Sequence, residues 1–327
     1  MRRPFALLAA ALLVGAFAVP ASAADGDDGS DGFTIKDPRI TESSGLAASR
    51  LHPGIYWTHN DQDDGPYLYA VDGSTGETVA RVALSGVGTP RDVEAISVGP
   101  GDRLFVGDIG DNLGGTWPHV WIYELPEPKE LKDQTVKATQ YVVKYADGAR
   151  DAESMAVHPK TGRVYLIDKN EDGGHLYEGP AKLSASGTNV FRRAAPVDLW
   201  ATDAAFSPDG ERLAVRGYLG GIWYDWNGGK IQRKGRISVP LGQGESVTYT
   251  ADGEKLLLGM EGAGSPVKAE DAPGGGGGSG GGGSDASGEG GGGDDGSGGD
   301  TLKVGAVGLI VACAAVFLGL RRLFRRR

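Results

Sequence analysis

The chain has 327 residues, 43 acidic and 33 basic, for a formal net charge of −10, and it contains one cysteine. The balance is uneven: residues 24–273 carry 38 acids against 25 basic groups, whereas both ends are basic. A nucleic-acid or anionic-lipid binder needs a basic surface, so this balance excludes both classes for the central segment. The lone Cys313 lies in an apolar run near the C-terminus. The central segment therefore has no disulfide, no disulfide-linked partner, no thiolate nucleophile and no cysteine metal site.

Residues 1–23, MRRPFALLAAALLVGAFAVPASA, place two arginines before an apolar run that ends in Ala-Ser-Ala. That layout predicts a signal peptide cleaved after Ala23. Residues 24–32 are expected to be a flexible N-terminus, and 33–268 the folded domain.

Within the domain, short β-rich runs recur between Gly, Pro and Asp turn signals, with no sustained helical period, so the class is all-β. Five phrases repeat: SGLAAS from Ser44, EAISVGPGDRLFVGD from Glu94, ESMAVHPKTGRVYLID from Glu153, TDAAFSPDGERLAVRGY from Thr202 and ESVTYTADGEKLLLGME from Glu245. Their starts lie 50, 59, 49 and 43 residues apart, each with room for about four strands. That period predicts a β-propeller of five blades, or six if residues 110–150 or the two ends supply another.

Beyond the domain, residues 274–300 contain 17 glycines in 27 positions, and 269–300 reads as a disordered Gly/Ser/Asp-rich linker. Its reach is about 30 Å for a random coil. Residues 301–320 are expected to form one transmembrane helix, since Val304 to Leu320 is a run of 17 uncharged residues. Residues 321–327 form an Arg-rich tail, and the positive-inside bias puts it in the cytoplasm. The expectation is a single-pass cell-membrane protein whose propeller is extracellular.

SGLAAS with YWTHND, RDVEAISVG with LFVGDIGDN, ARDAESMAVHPKTGRVY, KNEDGGHLYEGPAKLSASGTNVF and TDAAFSPDGERLAVRGY together resemble secreted WD40-like or phytase-like β-propeller proteins of actinobacteria. The resemblance spans most of 33–262. It implies fold and export, and it brings no catalytic residues.

In a propeller, residues at the start of each innermost strand meet those at the end of the second strand, on one face. This groups Ser44 with His59, Asn60 and Asp61; Asp92 and Glu94 with Asp108, Asp111 and Asn112; Asp151 and Glu153 with Asp168 and Lys169; Asp203 with Arg216; and Glu245 with Glu261. Oxygen donors without cysteine favour Ca2+. The candidate ligands are Asp61, Asp92, Glu94, Asp108, Asp151, Glu153, Asp203 and Glu245. The competing reading gives these acids to interblade ion pairs and strand-end caps. Asp168, Asn170 and Asp172 before Gly173 form a second oxygen-rich loop, read as a polar hairpin over a metal loop because the EF-hand Glu is missing. Catalytic candidates are His59, Glu94 and Glu153; ligand-binding candidates are Asn60, Arg150, Lys169 and Arg216. Trp117 and Trp121 form a candidate stacking pair. No organic cofactor is evident, and nucleophile elbow, zincin helix and P-loop are all absent.

These features lead to a membrane-anchored surface binding module with Ca2+ at its acidic mouth and an extracellular or envelope ligand. The alternative is a Ca2+-dependent hydrolase of phytase-like phosphoester or lactonase-like type.

Overall fold

The computed structural model describes residues 31–274 except 63 and 241. The expected signal peptide, transmembrane helix, arginine tail and most of the linker lie outside the described residues. Among the described residues no helix is long and apolar enough to cross a membrane.

Among the described residues β1 (Gly32–Thr34) comes first, and the blades then follow in sequence order. Blade one is β2 (Ser43–Ala48), β3 (Ile55–Asn60), β4 (Tyr67–Asp72) and β5 (Thr78–Ser85). Blade two is β6 (Val93–Gly99), β7 (Arg103–Asp108), β8 (Val120–Pro126) and, after β9 (Gln134–Lys137), β10 (Thr139–Tyr145). Blade three is β11 (Ala152–Val157), β12 (Val164–Asp168), β13 (Gly174–Glu178) and β14 (Thr188–Val197). Blade four is β15 (Ala201–Phe206), β16 (Arg212–Gly217), β17 (Gly220–Asn227) and β18 (Lys230–Ile237). Blade five is β19 (Gly244–Tyr249), β20 (Lys255–Met260) and β21 (Pro266–Asp271), completed by β1 pairing antiparallel to β21.

The innermost strands β2, β6, β11, β15 and β19 each pack on the next, and β19 packs on β2, so five blades close the ring. The 110–150 region supplies no sixth blade. Its β8 and β10 complete blade two, while β9 adds in parallel to the outer edge of blade one. A second parallel pairing, β10 with β14, joins blades two and three at their rims. Strand β21 also runs past the expected boundary at 268, with Asp271 opposite Lys255.

Each seam between neighbouring blades holds its own apolar cluster. Trp57, Leu68, Val106 and Tyr123 fill the first, Met155, Leu166, Val143 and Phe191 the second, and Ile167, Leu176, Leu213 and Val215 the third. Ala214, Val247 and Leu258 fill the fourth, and Ile35, Leu46, Val71 and Leu257 the closing one. The second strands VYLID and KLLLGM read as nearly continuous apolar runs because both faces are covered; the outer KIQRKGRI is polar and mostly exposed, with only Ile237 buried, because it forms the rim of its blade. Turns recur at one end of the blades. In Pro208-Asp209-Gly210 and Asp252-Gly253 the Asp accepts the backbone N–H two residues on, and glycine takes the positive φ of +69° and +78°.

The segment closing the ring between β1 and β2 is pinned by Asp37, which is 7% exposed. Arg39 donates Nε to Oδ1 at 2.9 Å and Nη2 to Oδ2 at 2.7 Å. That pairing, opposed by burial, holds the Asp37 carboxyl down at about 2 from an ordinary 3.8. A depressed folded pKa stabilises above the unfolded value, and the contribution is lost as pH falls through the folded one. Because the Arg39 side chain is 47% exposed, solvent screening reduces the effect. Asp37→Asn should therefore cost about 1 kcal/mol at pH 7 and almost nothing near pH 2. Urea unfolding at both pH values checks it.

Candidate functional site: an acidic mouth

The innermost strand of every blade opens with a β-bulge. The ladder skips Ser44 and Gly45 between β2 and β3, Glu94 between β6 and β7, Glu153 between β11 and β12, Thr202 between β15 and β16, and Glu245 between β19 and β20. A bulged residue leaves the normal alternation, which re-aims its side chain. Three glutamates thus hold equivalent places in three blades. At the same end the second strands stop, and the next residues are Asp61, Lys169, Tyr218 and Glu261 in four of the blades.

One oxygen each from Asp61, Asp92 and Glu94 lie within 4.8 Å of one another, and all three residues are buried. Each carboxylate is steadied by a neutral donor: Gln62 Nε2 to Asp61 Oδ2 at 3.1 Å, Asn112 Nδ2 to Asp92 Oδ2 at 2.8 Å, and Ser44 Oγ to Glu94 Oε2 at 3.0 Å. Such donors orient the acids without cancelling their charge. The backbone at Gly110 lies hard against the group, since a Cβ there would come within 2.6 Å of Asp92 Oδ2 and 2.7 Å of Glu94 Oε1.

Beside the triad, Lys169 Nζ pairs with Glu153 Oε1 and lies 5.5 Å from the Tyr218 ring centroid. Buried Glu153 Oε2 has no hydrogen-bond partner among the described residues. Burial pushes Glu94 well above the usual carboxylate range, aided by the charges of Asp92, Glu153 and Asp61. Burial and then Glu153 and Glu261 do the same to Glu245. Glu153 is pushed up to about 7 by burial, although Lys169 opposes this. Burial works against the Lys169 charge, but Glu153, Tyr218 and Glu94 outweigh it and hold the ammonium. Two carboxylates 4.8 Å apart repel by about 3 kcal/mol at an effective dielectric near 20. The triad must therefore take up protons or a cation.

The other expected site residues have structural partners. Asp108 is fully buried and accepts Asp92 N at 3.0 Å, Arg91 N at 3.1 Å and the Tyr123 hydroxyl at 2.5 Å. Asp203 accepts Ala204 N and Val247 N, both at 2.8 Å, stapling blade four to blade five. Asp151 Oδ1 accepts Asp111 N at 3.0 Å, and Asp111 caps its own loop at Thr116 and Trp117. Buried Arg216 donates Nη1 to Ser246 O and Gly259 O, both at 2.7 Å, so it is a tie between blades and presents no face to a ligand. Arg150 pairs with Asp147 at 3.0 Å, and Asn60 Oδ1 accepts Thr41 N and Glu42 N at 3.0 Å. His59 is 1% exposed, its Nε2 is packed over Gly45, and burial pushes its pKa down to about 4, so it is a neutral wall residue. The Asp168 to Gly173 loop is a self-capped hairpin, with Asp172 N on Asn170 Oδ1 at 3.0 Å.

The structure thus brings together Asp61, Asp92, Glu94, Glu153, Lys169 and Glu245. Sequence reasoning did not single out Tyr218 or Gln62. Tyr218 was findable, because it follows β16 as Lys169 follows β12; Gln62 carried no signal.

No protein-family model matches the sequence, and no curated protein matches it. Among solved structures the chain is similar to propeller-like enzymes. The aldose sugar dehydrogenase of Escherichia coli is 13% identical with a TM-score of 0.46, over 73% of this chain and 99% of that one. A candidate 6-phosphogluconolactonase of Bacteroides fragilis is 12% identical with a TM-score of 0.42, over 73% and 69%. Its counterpart from Bacteroides uniformis is 14% identical with a TM-score of 0.39, over 72% and 68%.

Proposed function

We propose that the mouth binds Ca2+ through Asp61, Asp92 and Glu94, and that the protein is a Ca2+-dependent hydrolase of small anionic esters or lactones. The observation that carries the reading is the triad, three buried carboxylates within 4.8 Å, each oriented by a neutral partner. An oxygen-only donor set suits a hard cation, and three carboxylates leave room in a shell of 6–8 ligands for water and substrate. When bound, the ion would polarise the scissile carbonyl or phosphoryl group and acidify a bound water. The chain's own groups supply the rest: Glu153 Oε2 is a buried acceptor for a water proton, and the Lys169 ammonium offers an N–H to an anionic oxygen. This acid–ammonium pair beside the triad favours the enzyme over a surface binding module, which needs no proton acceptor. The linker and helix expected in 269–320 would hold the mouth outside the cell.

The test is turnover by the full-length protein on p-nitrophenyl phosphate, phytate and gluconolactone, with Ca2+ and with chelator. One substrate should turn over with Ca2+, stop on chelation, and fall at least about a hundredfold in Glu94→Gln, the scale of losing one electrostatic stabiliser. Absence of turnover on all three, or turnover indifferent to chelation, would sink the hydrolase reading.

A further inference from the structure

Beside the mouth, the expected stacking pair is closed: the Arg91 guanidinium lies over the rings of both Trp117 and Trp121, 4.1 and 3.7 Å from their centroids. A reactive feature lies instead on the rim of blade four. Strands β17 and β18 are joined by the two-residue turn Gly228-Gly229, with Asn227 opposite Lys230 as the last pair of the ladder. Both glycines take positive φ, +57° and +93°, as a tight hairpin of this length requires.

The chain has five asparagines, and only Asn227 is followed by glycine. The other four have engaged amides. Asn60 accepts Thr41 N and Glu42 N, Asn112 donates to Asp92, Asn170 accepts Asp172 N, and Asn189 accepts Ser184 N. Asn227 is exposed, and among the described residues its amide has no hydrogen bond. The Gly228 N–H has no acceptor among them either, and a Cβ placed on Gly228 would meet nothing within 4 Å, so the turn is open. A nitrogen carried by glycine is also uncrowded by a side chain of its own. An unhindered nucleophile next to a free amide in the same chain is the arrangement in which proximity favours ring closure.

We propose that Asn227 is a site of spontaneous deamidation through a succinimide. The Gly228 nitrogen, having given its proton to hydroxide, forms a bond to Asn227 Cγ; the Cγ–Nδ2 bond breaks, and ammonia leaves with a proton taken from water. Water then opens the ring. Opening at Cγ gives aspartate, and opening at the main-chain carbonyl gives isoaspartate. The reaction needs the last ladder pair to open, which costs little at an exposed hairpin end. The new carboxylate stands opposite Lys230, whose ammonium has no ion pair among the described residues, so the rim accepts the charge.

The test is incubation of the full-length protein at pH 6, 7 and 8, followed by trypsin digestion and mass spectrometry against an unincubated sample. The peptide 217–230, in which Asn227 is the sole asparagine, should exchange an amide NH2 for a hydroxyl. Its rate should rise about tenfold per pH unit, as the anion of a group far below its pKa does. Aspartate and isoaspartate should both appear, the peptides of the other four asparagines should stay unchanged, and Asn227→Gln should stop the reaction. Three results would overturn the site. An unchanged 217–230 while a synthetic copy of that peptide converts would show that the hairpin locks the residue. Aspartate as the sole product would mean direct hydrolysis, and equal conversion at all five asparagines would mean unfolding.

Discussion

Calcium should raise the thermal midpoint of the full-length protein by about 10 °C over the same protein in chelator. A ligand bound only by the folded state stabilises by about 4 kcal/mol at a thousandfold excess over its dissociation constant, and each kcal/mol moves the midpoint of a domain this size by about 2–4 °C. The variant that isolates the cause is Glu94→Gln. It keeps an oxygen for Ser44 Oγ and removes one charge from the triad. In chelator the variant should be about as stable as the parent, because burial and the neighbouring charges already push Glu94 towards its neutral form, which the amide mimics. In Ca2+ it should be less stable, because the ligand is lost. The two curves therefore start together and part as the ion is added. If the acids are only structural, Ca2+ shifts neither protein, and elemental analysis of the unchelated sample finds no calcium.

The period of the fold was plain in the sequence because one strand-turn-strand phrase recurs five times, and each copy must fill the same place in a closed ring. Part of the mouth was plain for the same reason. The phrases begin at Ser44, Glu94, Glu153, Thr202 and Glu245, which are the residues that leave the ladder at the five bulges. By that alignment Thr202, not Asp203, is the counterpart of Glu94. Choosing Asp203 for its charge overrode its position, one residue further on, where the side chain caps backbone N–H groups. Arg216 misled in a similar way. A charged residue at a strand end suggests a ligand contact, but bulges leave carbonyls such as Ser246 O unpaired, and a buried guanidinium is what satisfies them. Hydrogen bonds between blades join residues far apart in sequence, and no local pattern announces them.

Asp108 separates the two roles that an acid at this mouth can have. Fully buried, it takes the Tyr123 hydroxyl and the backbone N–H groups of Arg91 and Asp92, and it pairs with Val93 at the start of blade two. Asp108→Ala would strand two buried donors, the Asp92 N–H and the Tyr123 hydroxyl, and the half-buried Arg91 N–H, a buried one being worth about 1–3 kcal/mol when left unmade. Sharing and relaxation bring the expected loss to about 3–5 kcal/mol, a large part of a typical 5–15 kcal/mol stability. Tyr123→Phe removes one donor along with its need and should cost about 1 kcal/mol. Urea unfolding in chelator reads both. Because the Asp92 N–H is one of the three donors, Asp108→Ala should also weaken the Ca2+ shift, indirectly and only in part. Were Asp108 a ligand of the ion, the pattern would reverse: Asp108→Asn would leave the chelated protein unharmed and erase the shift. The pairing of a large loss in chelator with a retained response to Ca2+ identifies Asp108 as the brace that positions Asp92.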